Sequence, residues 1–274
     1  MRPIFANSAW VNARETLLLR GGRWRKRRLK VRYGLFIHPT VGPVLIDTGY
    51  TTHCLDPHGI SVWLRIYGRL LAPELIEQGQ VRAVLNQFGL SPEAIKTVIV
   101  THFHVDHISG LSVFPNAKFI ASISAWTSLQ RNNQFQNIQH GMFPELLPED
   151  FATRFVPLED QPLRQVPHLQ TSHDIFGDGS VLAVPLHGHA SGHFGVLFPQ
   201  EETPLLYATD TQLLIDALPR DARPRLAPRL IAEDTIALNR SADRVYAFQK
   251  SGGTVILCHD DAPNPFDIEE GATF

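Results

Sequence analysis

Short apolar runs rich in β-branched and aromatic residues recur along the chain, and each marks an expected strand. The first group covers residues 16–47. Leu17-Leu18-Leu19 stops at Gly21-Gly22, and Tyr33-Gly34-Leu35-Phe36-Ile37 leads on to Pro43-Val44-Leu45-Ile46, a pattern of antiparallel hairpins. Lys96 to Val100, Phe119 to Ser122, Ser180 to Leu186, Gly195 to Phe198, Leu205 to Ala208 and Thr254 to Cys258 read as later strands. Between them lie stretches of helical period. Residues 61–90 carry Val62, Leu64, Ile66 and Leu70-Leu71, with Pro73 opening a second helix. Ser91 is an N-cap with Pro92 at the first helical position, and Ile108-Ser109-Gly110-Leu111 begins another helix. Strand and helix alternate, which indicates an α/β fold. Residues 126–172 break the rhythm with Gln130-Arg131-Asn132-Asn133-Gln134 and several prolines, so they are expected to form an insertion, either a substrate-contacting lid or plain decoration.

Composition narrows the class. With 274 residues, 43% hydrophobic and 19% charged, the chain fits one domain over 1–274 with a full core. A formal charge of −2 gives no electrostatic reason for a nucleic-acid partner. Cys54 and Cys258 are too few for a disulfide framework and lack zinc-finger spacing. The first residues have no long apolar core, and no run approaches the ~20 needed to span a bilayer, so a cytoplasmic protein without a membrane partner is expected. The basic run Arg23, Arg25, Lys26, Arg27, Arg28, Lys30 and Arg32 is read as a solvated hairpin guarding an exposed edge, with an anion-binding or membrane-surface patch as the alternative.

Chemistry concentrates in Thr101-His102-Phe103-His104-Val105-Asp106-His107. Shuffling this composition would produce such a His-x-His-x-Asp-His pattern roughly twice in a thousand chains. Alternate residues of an extended segment point the same way, so His102 and His104 can grip one metal ion; Asp106 continues that phase, and His107 would turn with the loop towards a second. Imidazole and carboxylate suit zinc and also accept iron or manganese. Asp47, at the end of the first strand group, either orients a histidine or loop, or caps an Asx turn. His53, Cys54 and His58 have no partner spacing and are taken as surface or rim residues. Further on come His187-Gly188-His189-Ala190-Ser191-Gly192-His193, Asp210 and His259-Asp260-Asp261, so four separate strands end in His or Asp. Four such ends along one chain point to a common centre.

The ordered set His102-x-His104-x-Asp106-His107, Gly188-His189-x-x-Gly192-His193, Asp210 and His259 resembles the metallo-β-lactamase superfamily of metal-dependent hydrolases, over residues 44–261. That resemblance implies an αββα sandwich of two mixed sheets with helices outside and a dinuclear site on one edge. One ion would take His102, His104 and His189, the other Asp106, His107 and His259; Asp210 would bridge them and His193 would stand behind the ligands. Within the superfamily, the tail from Glu233 to Ser241, the strand Thr254 to Leu257 and His259-Asp260 look like those of N-acyl-homoserine lactone lactonases. Those enzymes carry a tyrosine three residues after the bridging Asp, where this chain has Leu213.

The expected reaction is hydrolysis of an ester-like bond, with lactones preferred, by a hydroxide between two divalent cations, zinc first. Asp106 or Asp210 would pass a proton to the leaving group. The alternatives are a glyoxalase-II-like thioesterase, a phosphodiesterase and a non-catalytic metal-bound ligand sensor. A small-molecule ester or lactone is the expected partner, and a homodimer is an open arrangement.

Overall fold

The computed structural model describes residues 1–56, 59–224 and 232–268. In chain order its strands are β1 (Ile4–Arg14), β2 (Lys26–His38), β3 (Gly42–Ile46), β4 (Glu74–Leu75), β5 (Thr97–Ile99), β6 (Lys118–Ala121) and β7 (Phe155–Pro157), then β8 (Leu163–Val166), β9 (Gln170–Asp174), β10 (Leu182–Pro185), β11 (Phe194–Phe198), β12 (Leu205–Tyr207) and β13 (Thr254–Ile256). Its helices are α1 (Glu15–Leu18), α2 (Val62–Leu71), α3 (Val81–Gln87), α4 (Val105–Ile108), α5 (Ile123–Arg131), α6 (Gln134–Gln139), α7 (Phe151–Arg154) and α8 (Thr235–Lys250).

Two sheets result, ordered β4-β1-β2-β3-β5-β6-β7 and β13-β12-β11-β10-β9-β8. Both are mixed: β3, β5, β6 and β7 run parallel to one another, as do β12 and β13, while the other pairs are antiparallel. Alternation along single strands decides which side chains meet between the sheets. Leu205 and Tyr207 of β12 and Val196 and Phe198 of β11 join the large core, whereas Leu206 and Leu197 face outwards onto Val245 and Phe248 of α8. Across the interface the Phe5 and Tyr207 rings stand 4.8 Å apart, and Phe36 meets Phe198 edge-on at 5.2 Å. The αββα sandwich is the fold of this chain.

α8 shows why the second sheet is covered. Asp234 caps it, accepting from the amides of Ile236 (2.8 Å) and Ala237 (3.0 Å). Leu238, Ala242, Val245 and Phe248 recur on one face and are buried.

The sequence expectations fail in a few places, each for a physical reason. Leu17-Leu18-Leu19 is no strand: Glu15, buried, takes hydrogen bonds from Arg25, Arg27 and the Arg23 amide, which holds this stretch as the turn α1. β1 was hidden by Asn7, Ser8 and Asn12; Asn7 and Ser8 bond to the Val31 backbone of β2. Pro73 opens no helix, because Glu74-Leu75 pairs with the edge of β1 and α3 begins only at Val81. A helix ends rather than begins at Ile108. Residues 126–172 hold most of α5, then α6 and α7, the edge strand β7 of the first sheet and β8 and part of β9 of the second.

The basic run is largely paired rather than solvated. Arg27 binds Glu15 and Asp261, Arg28 binds Glu74, and Lys30 binds Asp267. Arg32 is 1% exposed and reaches the carbonyls of Leu257, Asp260 and Ala262 as well as both carboxylate oxygens of Asp267. It therefore fastens β2 of one sheet to the loop that follows β13 of the other. Arg32→Leu should strip these acceptors of their donor and lower unfolding free energy by about 3–5 kcal/mol in urea denaturation; a loss below about 1 kcal/mol would show that the pairing contributes little.

Candidate metal centre

Five strands run out of hydrogen-bonded backbone at the same edge, and each hands over a polar side chain there. Asp47 follows β3, the His102–His107 motif follows β5, His189 follows β10, Asp210 follows β12 and His259 follows β13. Asp47 (φ 59°) and Thr209 (φ 45°) adopt left-handed backbone, which turns the chain sharply before and at the site. Within the motif, residues up to His104 are extended and α4 starts at Val105, so the alternation carries His102 and His104 but not Asp106. Asp106 and His107 face the centre because the helical turn redirects them. Phe103, between the first two histidines, goes the other way, into the core against Phe151 at 5.7 Å.

The structure brings all seven sequence-derived residues together. His104 Nδ1 lies 3.1 Å from His102 Nε2 and 3.0 Å from His189 Nε2. One oxygen, Asp210 Oδ2, stands 3.7 Å from His102 Nε2, 3.3 Å from His189 Nε2 and 3.4 Å from both His107 Nε2 and His259 Nε2. Asp106 Oδ2 is 3.3 Å from His259 Nε2 and 3.7 Å from His107 Nε2. Ligands about 2.0–2.1 Å from a tetrahedral ion stand roughly 3.3 Å apart, which is the spacing of these atoms. Asp210 Oδ1 is buried with no hydrogen-bond partner among the described residues, a cost that a cation would relieve. The donor atoms fall into two groups, His102, His104, His189 and Asp210, and Asp106, His107, Cys258 and His259, with atoms of each group within 4.8 Å of one another. The residues fit divalent metal.

Further contacts hold the imidazoles in register. Asp47 takes hydrogen bonds from His107 Nδ1 (2.7 Å), the Thr101 amide (2.8 Å) and the Thr101 hydroxyl (2.8 Å). Thr101 Oγ1 in turn lies 3.2 Å from His102 Nδ1. His259 Nδ1 donates to the Lys30 carbonyl at 2.8 Å, so each of these rings presents Nε2 to the centre. Asp47 thus orients a histidine, one of the two roles its position allowed. His193 is turned away, between the Leu186 carbonyl (2.6 Å) and the Thr209 hydroxyl, and steadies the residue before Asp210.

Electrostatics match. Burial pushes His102 and His104 well below the usual imidazole range and His193 down to about 3. Burial opposes ionisation of Asp106 as well, yet the neighbouring His107 and His259 outweigh it and hold that carboxyl at about 2. Against the same opposing burial, Asp47, Asp106 and Asp210 raise His107. Ionised carboxylates stand beside two imidazoles that resist protonation, His102 and His104, and beside His107 and His259, which the carboxylates favour in the charged form, so the site is built for positive charge.

Other candidates lie elsewhere. Cys54 is buried rather than on a rim, its thiol donating to the Thr51 carbonyl, and burial pushes it up to about 11. His58 lies outside the described residues. The His187 ring is exposed while its carbonyl accepts from Ser241. Asp260 receives the Ile215 amide and Asp261 pairs with Arg27. The sequence reading missed Cys258, whose sulfur is 4.0 Å from His107 Nε2. Its position directly before His259 was the available signal. Leu213 lines a small apolar pocket with Leu17, Leu18 and Leu238 beside His189 and Asp210. A larger groove of about 750 Å³, lined by Trp63, Trp126, Met142 and Phe143, contains none of the clustered ligands.

This sandwich with a histidine–aspartate cluster at one edge defines a class, and comparison names it. Residues 35–247 match the model of the metallo-beta-lactamase superfamily, and the chain belongs to that superfamily. It is similar to an N-acyl homoserine lactonase from Bacillus sp, 27% identical over 94 residues, or 34% of this chain and 37% of that one. It is also similar to the N-acyl homoserine lactonase AttM of Agrobacterium fabrum, 26% identical over 241 residues, covering 85% of this chain and 82% of that one. Among solved structures, an N-acyl homoserine lactone hydrolase with the product N-hexanoyl-L-homoserine at its catalytic metal centre superposes with a TM-score of 0.70 at 16% identity, covering 95% of this chain and 93% of that one, a likeness of fold.

Asp47→Asn keeps the shape but loses the charge that anchors His107. Affinity for divalent metal should fall about 10–100-fold in chelator-competition titrations, with little change in melting temperature; unchanged affinity would show that Asp47 only shapes the loop.

Proposed function

We propose that this metallo-hydrolase is dinuclear and opens a lactone or a related ester. What carries the reading is the single oxygen, Asp210 Oδ2, within 3.3–3.7 Å of four imidazole nitrogens that divide between the two donor groups. His102, His104 and His189 would hold one ion and Asp106, His107 and His259 the other, with Asp210 shared. Zinc is the first choice and iron or manganese fit the same donors. Two such cations lower the pKa of water between them and polarise a carbonyl. Asp106, kept ionised by His107 and His259, is positioned to take a proton and return it to the leaving alkoxide; Asp210 is the other carboxylate within reach. The apolar pocket around Leu213 supports an acyl or alkyl substituent rather than a charged one on the Asp210 side.

The whole chain acts as one domain in this reading, with residues 126–172 contributing the wall of the larger groove through Trp126, Leu129, Met142 and Phe143. The lactonase names among the relatives support the choice of lactone over thioester or phosphodiester.

The test is a metal-loaded preparation assayed against N-acyl homoserine lactones, glutathione thioesters and phosphodiesters, alongside stoichiometric metal analysis. Two ions per chain and lactone turnover are expected, and His104→Ala should reduce kcat/KM by about 10²–10³-fold. Activity that survives exhaustive metal removal would overturn the reading.

A further inference from the structure

His259 has a neighbour that the ligand set above does not use. Cys258 stands one residue before it, and successive side chains of an extended strand point to opposite faces. β13 ends at Ile256, however, and the chain bends at Cys258 and His259, so both side chains can turn to the same centre. The sulfur reaches to 4.0 Å from His107 Nε2. It falls with Asp106, His107 and His259 in one group whose donor atoms lie within 4.8 Å of one another. Two ligands of one ion, sulfur at about 2.3 Å and nitrogen at about 2.0–2.1 Å, stand roughly 3.6 Å apart at the tetrahedral angle and about 4.4 Å apart in line. The observed separation lies between those limits.

Backbone hydrogen bonds set the sulfur there. The Cys258 amide donates to the Thr209 carbonyl at 3.0 Å, and its carbonyl accepts from the Arg32 amide at 3.2 Å. The residue is thus fixed, fully buried, between β2 and the turn that bears Asp210. Its thiol donates weakly to the Arg32 carbonyl at 3.4 Å, but that oxygen also receives the Tyr207 hydroxyl at 2.8 Å. The proton on sulfur is therefore expendable, because the carbonyl keeps its stronger donor without it. An independent sign that a cation belongs here is Asp210, which is 4% exposed. Its Oδ1 has no hydrogen-bond partner among the described residues, and its Oδ2 is 3.4 Å from both His107 Nε2 and His259 Nε2.

We infer that Cys258, as a thiolate, is a further ligand of the ion that Asp106, His107 and His259 hold, its proton passing to solvent as the ion binds. The inference rests on the dinuclear reading above and deepens it. One donor group is all imidazole and carboxylate, while the other contains sulfur. Thiolate favours zinc over manganese, so the two positions differ in the metal they accept, and the sulfur-bearing one selects zinc.

The metal-loaded full chain tests this without any substrate. X-ray absorption at the zinc edge of the zinc-loaded protein should show a sulfur scatterer at about 2.3 Å. The cobalt-loaded protein should show a thiolate-to-cobalt charge-transfer band in the near ultraviolet. Cys258→Ser should remove both signals, and Cys54→Ser should keep them. In chelator competition, Cys258→Ser should weaken one of the two zinc ions by at least about tenfold and manganese binding by less than about threefold. Should Cys258→Ser fail to fold, the sulfur shell of the wild type still decides. Two bound ions surrounded only by nitrogen and oxygen would overturn the inference and leave the dinuclear reading standing, and signals that follow Cys54 would overturn it as well. A single sulfur-ligated ion per chain would sink the dinuclear reading and leave Cys258 its role.

Discussion

Everything in this molecule depends on keeping five imidazoles and two carboxylates within a few ångströms of one another and out of water. The arrangement is costly without a cation. Asp210 is 4% exposed, His102 and His107 not at all, and burying charge is unfavourable unless opposite charge accompanies it. The fold meets that requirement by making the cluster the common endpoint of five strands, so that no single loop has to organise it. Asp47, Thr101 and the Lys30 carbonyl then hold the far sides of His107, His102 and His259. The ring nitrogens left over converge because their partners leave them no other direction.

The support comes from both sheets, which makes the centre and the sandwich one structural problem. β2 belongs to the first sheet, yet its Lys30 carbonyl orients His259 and its Arg32 side chain collects the carbonyls of the loop that bears His259. Tyr207 of the second sheet returns a hydrogen bond to the Arg32 carbonyl at 2.8 Å. On the outer face, Gly188 lies so close to α8 that a Cβ there would meet the Leu238 amide nitrogen at 2.0 Å. The loop carrying His189 is thereby clamped between the sheet and the helix that covers it. Packing that serves stability elsewhere serves ligand geometry here.

On the Asp210 and His189 side of this common centre, the wall combines Leu17, Leu18, Leu213 and Leu238 with Thr211 and Gln212, a mainly apolar lining that selects by shape and contact.

Much of this was legible in the linear sequence. The ligand-rich ends of β5, β10, β12 and β13 could be read because strands of apolar residues stopping at His or Asp is a local pattern, and the His102–His107 motif holds four of the seven donors by itself. The alternation of strand and helix indicated only an α/β fold, and the αββα class came through the resemblance that these motifs carry. What depended on distant contacts was not readable: Arg32 looked like one more charge in a basic run until the loop after β13 folded over it. The polar residues of β1 looked like loop until β2 paired with them. Cys258 offered only its place directly before His259, and it took the folding of the segment after β13 against β2 to set its sulfur beside His107. Sequence alone determined which residue types were available at each strand end, because that depends on neighbours along the chain. Tertiary structure decided which atoms those side chains face, because direction is set by partners that lie up to hundreds of residues away.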